Sequence, residues 1–118
     1  MPGMEDLNQW RGEDVVDTGG DKIGKLEEIY YDSDNDEPVF LGVKTGHLSH
    51  HLLFVPYQGV SAGNGHVSTN QAKSVVEKAP KIEPGSELAR DQEVEIFEYY
   101  NMPYTPSFSS GGRRLVRR

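Results

Sequence analysis

The sequence predicts a mainly β domain: a small barrel of about six strands, followed by one or two short C-terminal helices. Short segments rich in β-branched and aromatic residues recur through the first two thirds of the chain. Glycine and Asx turns separate these segments, and the helix signals come only after residue 69. A chain of 118 residues, of which 35% are hydrophobic, has room for one modest core and therefore for one domain.

The first two strands are expected to form a hairpin. Val15 and Val16 are a β-branched pair that suits a first strand over residues 12–18. The Gly-Gly-Asp run at 19–21 is a strong turn signal, because glycine reaches positive φ without strain. The chain should therefore reverse direction here and enter a second strand.

The second strand, residues 22–31, does not alternate simply. Ile23, Leu26 and Ile29 lie three positions apart, which a helix would also accept. The turns on either side and a glycine inside favour a bent or bulged strand, in which each extra residue resets the side-chain phase. Gly24 then marks a close backbone approach or a barrel corner.

An acidic turn, residues 32–38, joins the second strand to the third. Asx side chains hydrogen-bond their own backbone and suit this position. The D-x-D-x-D spacing resembles the start of an EF-hand calcium loop, but loop position six is Glu37 and position twelve is Val43. An EF-hand requires glycine and a bidentate acid there. We expect a solvated turn, with calcium binding as the alternative.

Four more strands complete the predicted barrel. The third covers residues 39–45 and alternates between two faces. The fourth, residues 51–55, is nearly all apolar, so both of its faces should be covered. Two short segments, 57–62 and 66–68, form the last hairpin around a Gly-Asn-Gly turn.

Two helices are expected after the strands. Thr69 or Asn70 caps the first, and Pro80 ends it. In the second, Asp91 is the predicted cap and Asn101 takes the left-handed position after the last turn. Its predicted apolar stripe consists of Val94, Phe97 and Tyr100.

These elements divide the chain into four parts. Residues 1–11 are a polar leader, 12–80 the barrel domain, 81–104 a linker and helix packing on or beside the barrel, and 105–118 a disordered basic tail. In the leader, Trp10 is expected to cover one end of the core, because a lone indole is costly to leave in water. The tail contains four arginines and no acid.

Composition excludes several classes of protein. The net charge of −7 disfavours nucleic acid as a partner, since a basic face is the usual footprint of a nucleic-acid binder. No apolar run approaches the roughly 20 residues that span a bilayer, and no signal-peptide pattern is present. The absence of cysteine excludes disulfides and thiolate metal sites. We expect a soluble, cytoplasmic protein.

We find no catalytic apparatus and expect neither an enzyme nor a cofactor. His47, His50 and His51 are low-probability zinc or nickel ligands. Two of them are consecutive strand residues, which point to opposite faces, so we expect no metal site.

The favoured functional surface is an aromatic cluster that falls within eight positions. Its members are Phe97, Tyr99, Tyr100, Met102 and Tyr104. A barrel this small cannot bury all five, so Phe97 is expected to pack the helix on the barrel while the others form an interface. Tyr and Met are enriched at such interfaces. We expect a homo-oligomer, with a dimer as the first choice and an exposed strand edge as the alternative contact.

With these elements in order, the chain resembles the PRC-barrel family. This small all-β domain is shared by the cytoplasmic part of the photosynthetic reaction-centre H subunit and the ribosome-maturation factor RimM. The similar segments are 22–29, the acidic turn with Pro38, 39–43, 53–56 and 75–80, within about residues 10–80. Residues 93–104 also resemble the C-terminal helix of some stand-alone bacterial PRC-barrel proteins.

The resemblance implies a binding or adaptor module without chemistry of its own. The expected function is thus a non-catalytic protein-interaction or scaffold module that self-associates and binds an unidentified protein partner. The alternative, by analogy with RimM, is an RNA- or ribosome-assembly accessory protein. The acidic composition counts against that alternative.

Overall fold

A computed structural model describes residues 7, 9–46, 51–63, 65–81, 90–104 and 115–117. This part of the chain contains seven strands and two helices. The strands are β1 (Asp14–Val16), β2 (Lys22–Asp32), β3 (Pro38–Lys44), β4 (Leu52–Pro56), β5 (Ser61–Gly63), β6 (His66–Ser68) and β7 (Leu115–Arg117), and the helices are α1 (Lys73–Lys78) and α2 (Arg90–Tyr99). The predicted fold class, mainly β with C-terminal helices, is confirmed.

The strands form one sheet in the order β4-β3-β2-β1-β6-β5, and β7 pairs with β2 beside this path. All pairings are antiparallel except that of β1 with β6. Among the described residues the hydrogen-bonded path is open between β4 and β5. In the part of the chain that the structure describes, the sheet thus curls round its core without a closing ladder between these two strands.

The second strand is bulged, as the apolar spacing predicted. Val15 and Val16 pair with Gly24 and Lys22, so Ile23 is an extra residue against β1. Against β3, Glu27 is a second extra residue between the paired positions Leu26 and Glu28. Each bulge resets the side-chain phase and bends the strand.

Gly24 lies where β2 passes close to the backbone of β3. A Cβ atom at this position would press against the Lys44 carbonyl oxygen and lie 2.8 Å from Cγ1 of Val43. The predicted close approach is therefore confirmed. Glycine at this position allows the two strands to pair where the sheet bends.

Both faces of the central strands are buried. The inner core contains alternate residues of β1–β4 and β6, together with Leu7 and Val76; Trp10 packs against it, as predicted. The outer face carries Tyr30, Phe40, Leu52 and Phe54, which pack under α2 and β7. All five residues of β4 are buried, so the prediction that β4 is covered on both sides is confirmed.

The predicted cap of the first helix is wrong. This helix, α1, begins at Lys73, and Ala72 occupies the cap position without a side-chain hydrogen bond. A distant carboxylate compensates, since Oδ2 of Asp17 accepts the Lys73 N–H at 2.9 Å. Oδ1 of the same residue accepts the N–H groups of Gly19 and Asp21, each at 2.9 Å. These backbone bonds, that from Lys73 foremost, lower the pKa of Asp17.

The tail prediction is wrong for residues 115–117, which form β7. Leu115 is fully buried, and β7 pairs with Tyr30–Asp32 of β2. Composition favoured disorder here, but an apolar residue with an available strand edge favours pairing. Residues 105–114 and 118 lie outside the described part of the chain.

No helix among the described residues has the length and apolarity needed to cross a membrane.

Replacing Gly24 by alanine should lower the free energy of unfolding by about 1–3 kcal/mol, the usual cost of overpacking. The added methyl group would push β2 away from the Lys44 carbonyl. Gly63→Ala is the matched control, because a methyl group there meets no atom within 4 Å. Urea denaturation of both variants measures the difference; equal unfolding free energies would contradict the close approach.

Candidate interaction surface

The predicted aromatic cluster lies where α2 packs on the outer face of the sheet. Ile96 and Phe97 are buried, and the Phe97 ring meets Phe40 edge-on at 5.4 Å between centroids. The predicted stripe is partly wrong, because Val94 is only half-buried and Glu93 is fully buried. Sequence periodicity missed Glu93 because a carboxylate is not expected on a buried helix face.

The end of α2 follows the prediction. Asn101 has a φ of +56°, the left-handed conformation expected after the last turn. Its N–H donates to the Glu98 carbonyl at 3.0 Å, and the Met102 N–H donates to the Phe97 carbonyl at 2.9 Å. This is a Schellman motif, which satisfies the last carbonyl groups of the helix. The motif directs Met102 and the residues that follow back toward the sheet.

Three tyrosine hydroxyls of this region bond to the protein's own chain. Tyr99 donates to the Val75 carbonyl and Tyr100 to the Phe54 carbonyl, both at 2.5 Å. Tyr104 donates to Oε1 of Glu93 at 2.7 Å. The tyrosines and Met102 are half-buried, and Phe97 is buried. The structure thus places all five predicted interaction residues against the sheet, with parts of four of them at the surface.

Burial, reinforced by the nearby Tyr99 phenol, raises the pKa of the Tyr100 phenol well above its ordinary value of 10.0. The neutral phenol donates to the Phe54 carbonyl, which is an unsuitable neighbour for a phenolate. Tyr100 is therefore a structural donor over the whole physiological range.

Glu93 joins the C-terminal strand to the helix. Its Oε2 accepts the Leu115 N–H at 2.6 Å, while its Oε1 accepts the Tyr104 hydroxyl. The same carboxylate therefore binds two parts of the chain that lie eleven residues apart in the sequence, Tyr104 and Leu115. A hydrogen bond to a carboxylate is stronger than one to a neutral group, so Glu93 fixes the start of β7.

Only one of the three histidine candidates lies within the described residues. His51 is exposed, whereas His47 and His50 lie outside the described residues. Within the described residues, no three His, Asp or Glu side chains are grouped closely enough to hold a metal ion. In the acidic turn, Oδ1 of Asp32 accepts the Asp34 N–H at 2.8 Å, which is the Asx bonding expected of a turn.

A family model described as PRC-barrel domain matches residues 2–76. The match covers more than half of the chain and begins within the predicted leader. It ends before α2 and β7, so the elements that cover the outer face lie beyond it. A search of curated proteins found no match.

Replacing Tyr100 by phenylalanine should lower the unfolding free energy at neutral pH by about 0.5–1.5 kcal/mol, the net value of one hydrogen bond. Because folding raises this pKa, the contribution is complete below pH 10 and is lost as the pH rises above that. Denaturation between neutral and alkaline pH should show a weaker alkaline loss in the variant. Tyr99→Phe keeps Tyr100 and its burial, which is the larger cause of the raised pKa, so this variant should retain most of the alkaline loss; an equal loss in all three proteins would contradict the assignment.

Replacing Glu93 by glutamine should loosen β7. The amide can still accept the Leu115 N–H and donate to the Tyr104 hydroxyl, but neither bond is then assisted by a charge, at a cost of about 1–1.5 kcal/mol. Hydrogen exchange at residues 115–117 should become faster. Glu98→Gln, on the exposed side of the same helix, is the control. Unchanged exchange at these amides would contradict the role given to Glu93.

Proposed function

This chain belongs to the PRC-barrel domain family, and from that premise we propose that it is a non-catalytic protein-interaction module that self-associates. The family match covers residues 2–76, which contain six of the seven described strands. As its compartment we propose the cytoplasm, because a chain without cysteine has no disulfide bond that the reducing conditions there would break.

One observation carries the proposal: the matched domain holds a further segment of the same chain on its outer face. Both α2 and β7 lie beyond the matched residues, and both dock on the outer side of β2–β4. The contacts are of three kinds: apolar packing, side-chain bonds to backbone carbonyls of the domain, and addition of a strand to β2. These are general means of holding a peptide. They support a polypeptide, rather than a small molecule, as the ligand of this fold.

Among the described residues, two areas correspond to the contacts that the sequence predicted. The first is β5, whose three residues are all exposed and which ends the described path of the sheet. An exposed edge offers backbone groups to another chain. The second consists of the surface parts of Tyr99, Met102 and Tyr104, which keep the aromatic cluster as a candidate contact.

The RNA-linked alternative would need a basic surface. The described chain gathers three lysines at one end of the β2–β3 hairpin, but Lys22 and Lys25 both pair with Asp14. Glu27 lies beside them. With a net charge of −7, this arrangement counts against a nucleic acid as the partner.

The full chain should have a concentration-dependent mass in light scattering. At the lowest concentrations we expect 13.2 kDa, the mass of one chain, and at higher concentrations a larger value. Mass action requires this for any reversible self-association. A constant mass of one chain up to the solubility limit would overturn the self-association.

A further inference from the structure

The path of the sheet ends differently at its two outer strands. At one end all five residues of β4 are buried, and the Phe54 carbonyl accepts the Tyr100 hydroxyl at 2.5 Å. At the other end the three residues of β5 are exposed. β5 pairs with β6 on one side, and no described strand pairs with its other side. Of the two ends of the path, β5 is therefore the one at which a further strand has room to pair.

The residues of β5 do not block this edge. Edge strands are commonly protected by a charged side chain, a proline or a bulge. β5 consists of Ser61, Ala62 and Gly63, whose side chains are small and uncharged, and its pairing with β6 is regular. Three residues offer only a few backbone hydrogen bonds, so a strand added there needs a further contact to hold it.

A hollow of about 240 Å³ beside β5 can provide that contact. Its lining includes Trp10 and Glu13 as well as Ala62 and Gly63 of β5. Pockets for small ligands span about 300–1,000 Å³, so this hollow suits a single side chain. Alternate side chains of an added strand would point to the same face of the sheet as Ala62. One of them would therefore enter the hollow.

The groups around the hollow suit a cationic side chain. Trp10 and Glu13 are both half-buried. Among the described residues nothing makes a hydrogen bond or an ion pair with the Glu13 carboxylate, whereas the neighbouring Asp14 already pairs with Lys22 and Lys25. A cation is attracted to an aromatic ring as well as to a carboxylate. A lysine or arginine in the hollow would thus find both.

This charge favours a basic partner over a second copy paired through the same edge. Two β5 strands joined edge to edge would bring small uncharged residues together and leave Glu13 of each copy without a cation. The net charge of −7 also attracts a basic segment at longer range.

We propose that the β5 edge and this hollow bind an extended basic segment of a partner protein. The backbone of the segment adds to β5 as a further strand, and a lysine or arginine side chain lies in the hollow with Glu13 and Trp10. This rests on the protein-interaction function proposed above and names a site and a class of partner for it. Backbone bonds then supply affinity, and the hollow selects the charge.

The test uses the full chain and three peptides with blocked ends. The first is Thr-Val-Thr-Arg-Thr-Val-Thr, whose β-branched residues favour an extended backbone; glutamine or glutamate replaces its arginine in the other two. Trp10 is the chain's only tryptophan, so its fluorescence reports on the hollow, while calorimetry measures the affinity independently. At about pH 8, where imidazoles are neutral, the arginine peptide should bind about five- to twentyfold more tightly than the glutamine peptide. The glutamate peptide should bind most weakly.

The role of Glu13 is tested by Glu13→Gln. This variant should bind the arginine peptide about two- to fivefold more weakly than the wild type and the glutamine peptide equally well, because only the first loses an ion pair. Glu95→Gln, on the exposed side of α2, makes the same change in net charge and should leave both affinities unchanged. Equal weakening by the two variants would overturn the role of Glu13.

Strand addition is tested through the peptide backbone. Successive N–H groups of an extended chain point to opposite edges, so only one alternate set can bond to β5. Methylating the nitrogens of that set in the arginine peptide should abolish binding, and methylating the other set should largely preserve it. Equal affinities of the two methylated peptides would overturn strand addition. In NMR spectra, the amide signals of residues 61–63 should shift as the unmethylated peptide is added.

The outcomes separate this site from the wider proposal. A constant mass of one chain in light scattering removes the self-association and leaves this site standing. No saturable binding of the arginine peptide, or equal affinity for the arginine and glutamate peptides, overturns the site even where the chain self-associates. Binding that leaves the signals of residues 61–63 unmoved would also overturn it. So would signals there that shift with the protein's own concentration and do not respond to the peptide, because β5 would then bind a second copy.

Discussion

The structure depends on how β2 is bonded. This strand of 11 residues pairs along one edge with β3 and along the other with β1 and then β7. It can pair with three strands only because it bends. The bends come from the extra residues Ile23 and Glu27 and from the missing side chain at Gly24. Both faces are buried as well, with Tyr31 in the inner core and Tyr30 in the outer one.

Apolar residues on both faces of β2–β4 explain what the C-terminal segment does. A sheet whose outer face carries Phe40 and Phe54 needs a cover, since apolar surface left in water is costly. The cover is α2, and Tyr100 adds a bond to the Phe54 carbonyl. The aromatic density that composition associates with an interface is, in large part, an interface within one chain.

Features that neighbouring residues determine could be predicted from the sequence, whereas contacts between distant residues could not. Broken alternation in β2 and the asparagine after α2 act within a few positions, so the bulged strand and the left-handed Asn101 could be predicted. The cap of α1 comes from Asp17, 56 residues from its partner Lys73. The pairing of β7 needs Glu93 to be buried, and no periodicity indicates that. Predictions failed where a polar group in one segment satisfies the backbone of another.

Among the described residues, the chain's own elements already occupy most of the central strand β2. The inner core and α2 cover its faces, and β7 pairs with the part of its second edge that β1 leaves open. Two copies with a net charge of −7 repel each other over long distances, but physiological salt screens charges more than about 8 Å apart. Charged groups in direct contact are screened much less. Any association between copies of this acidic chain is therefore decided by the groups that touch, and not by the net charges of the two molecules.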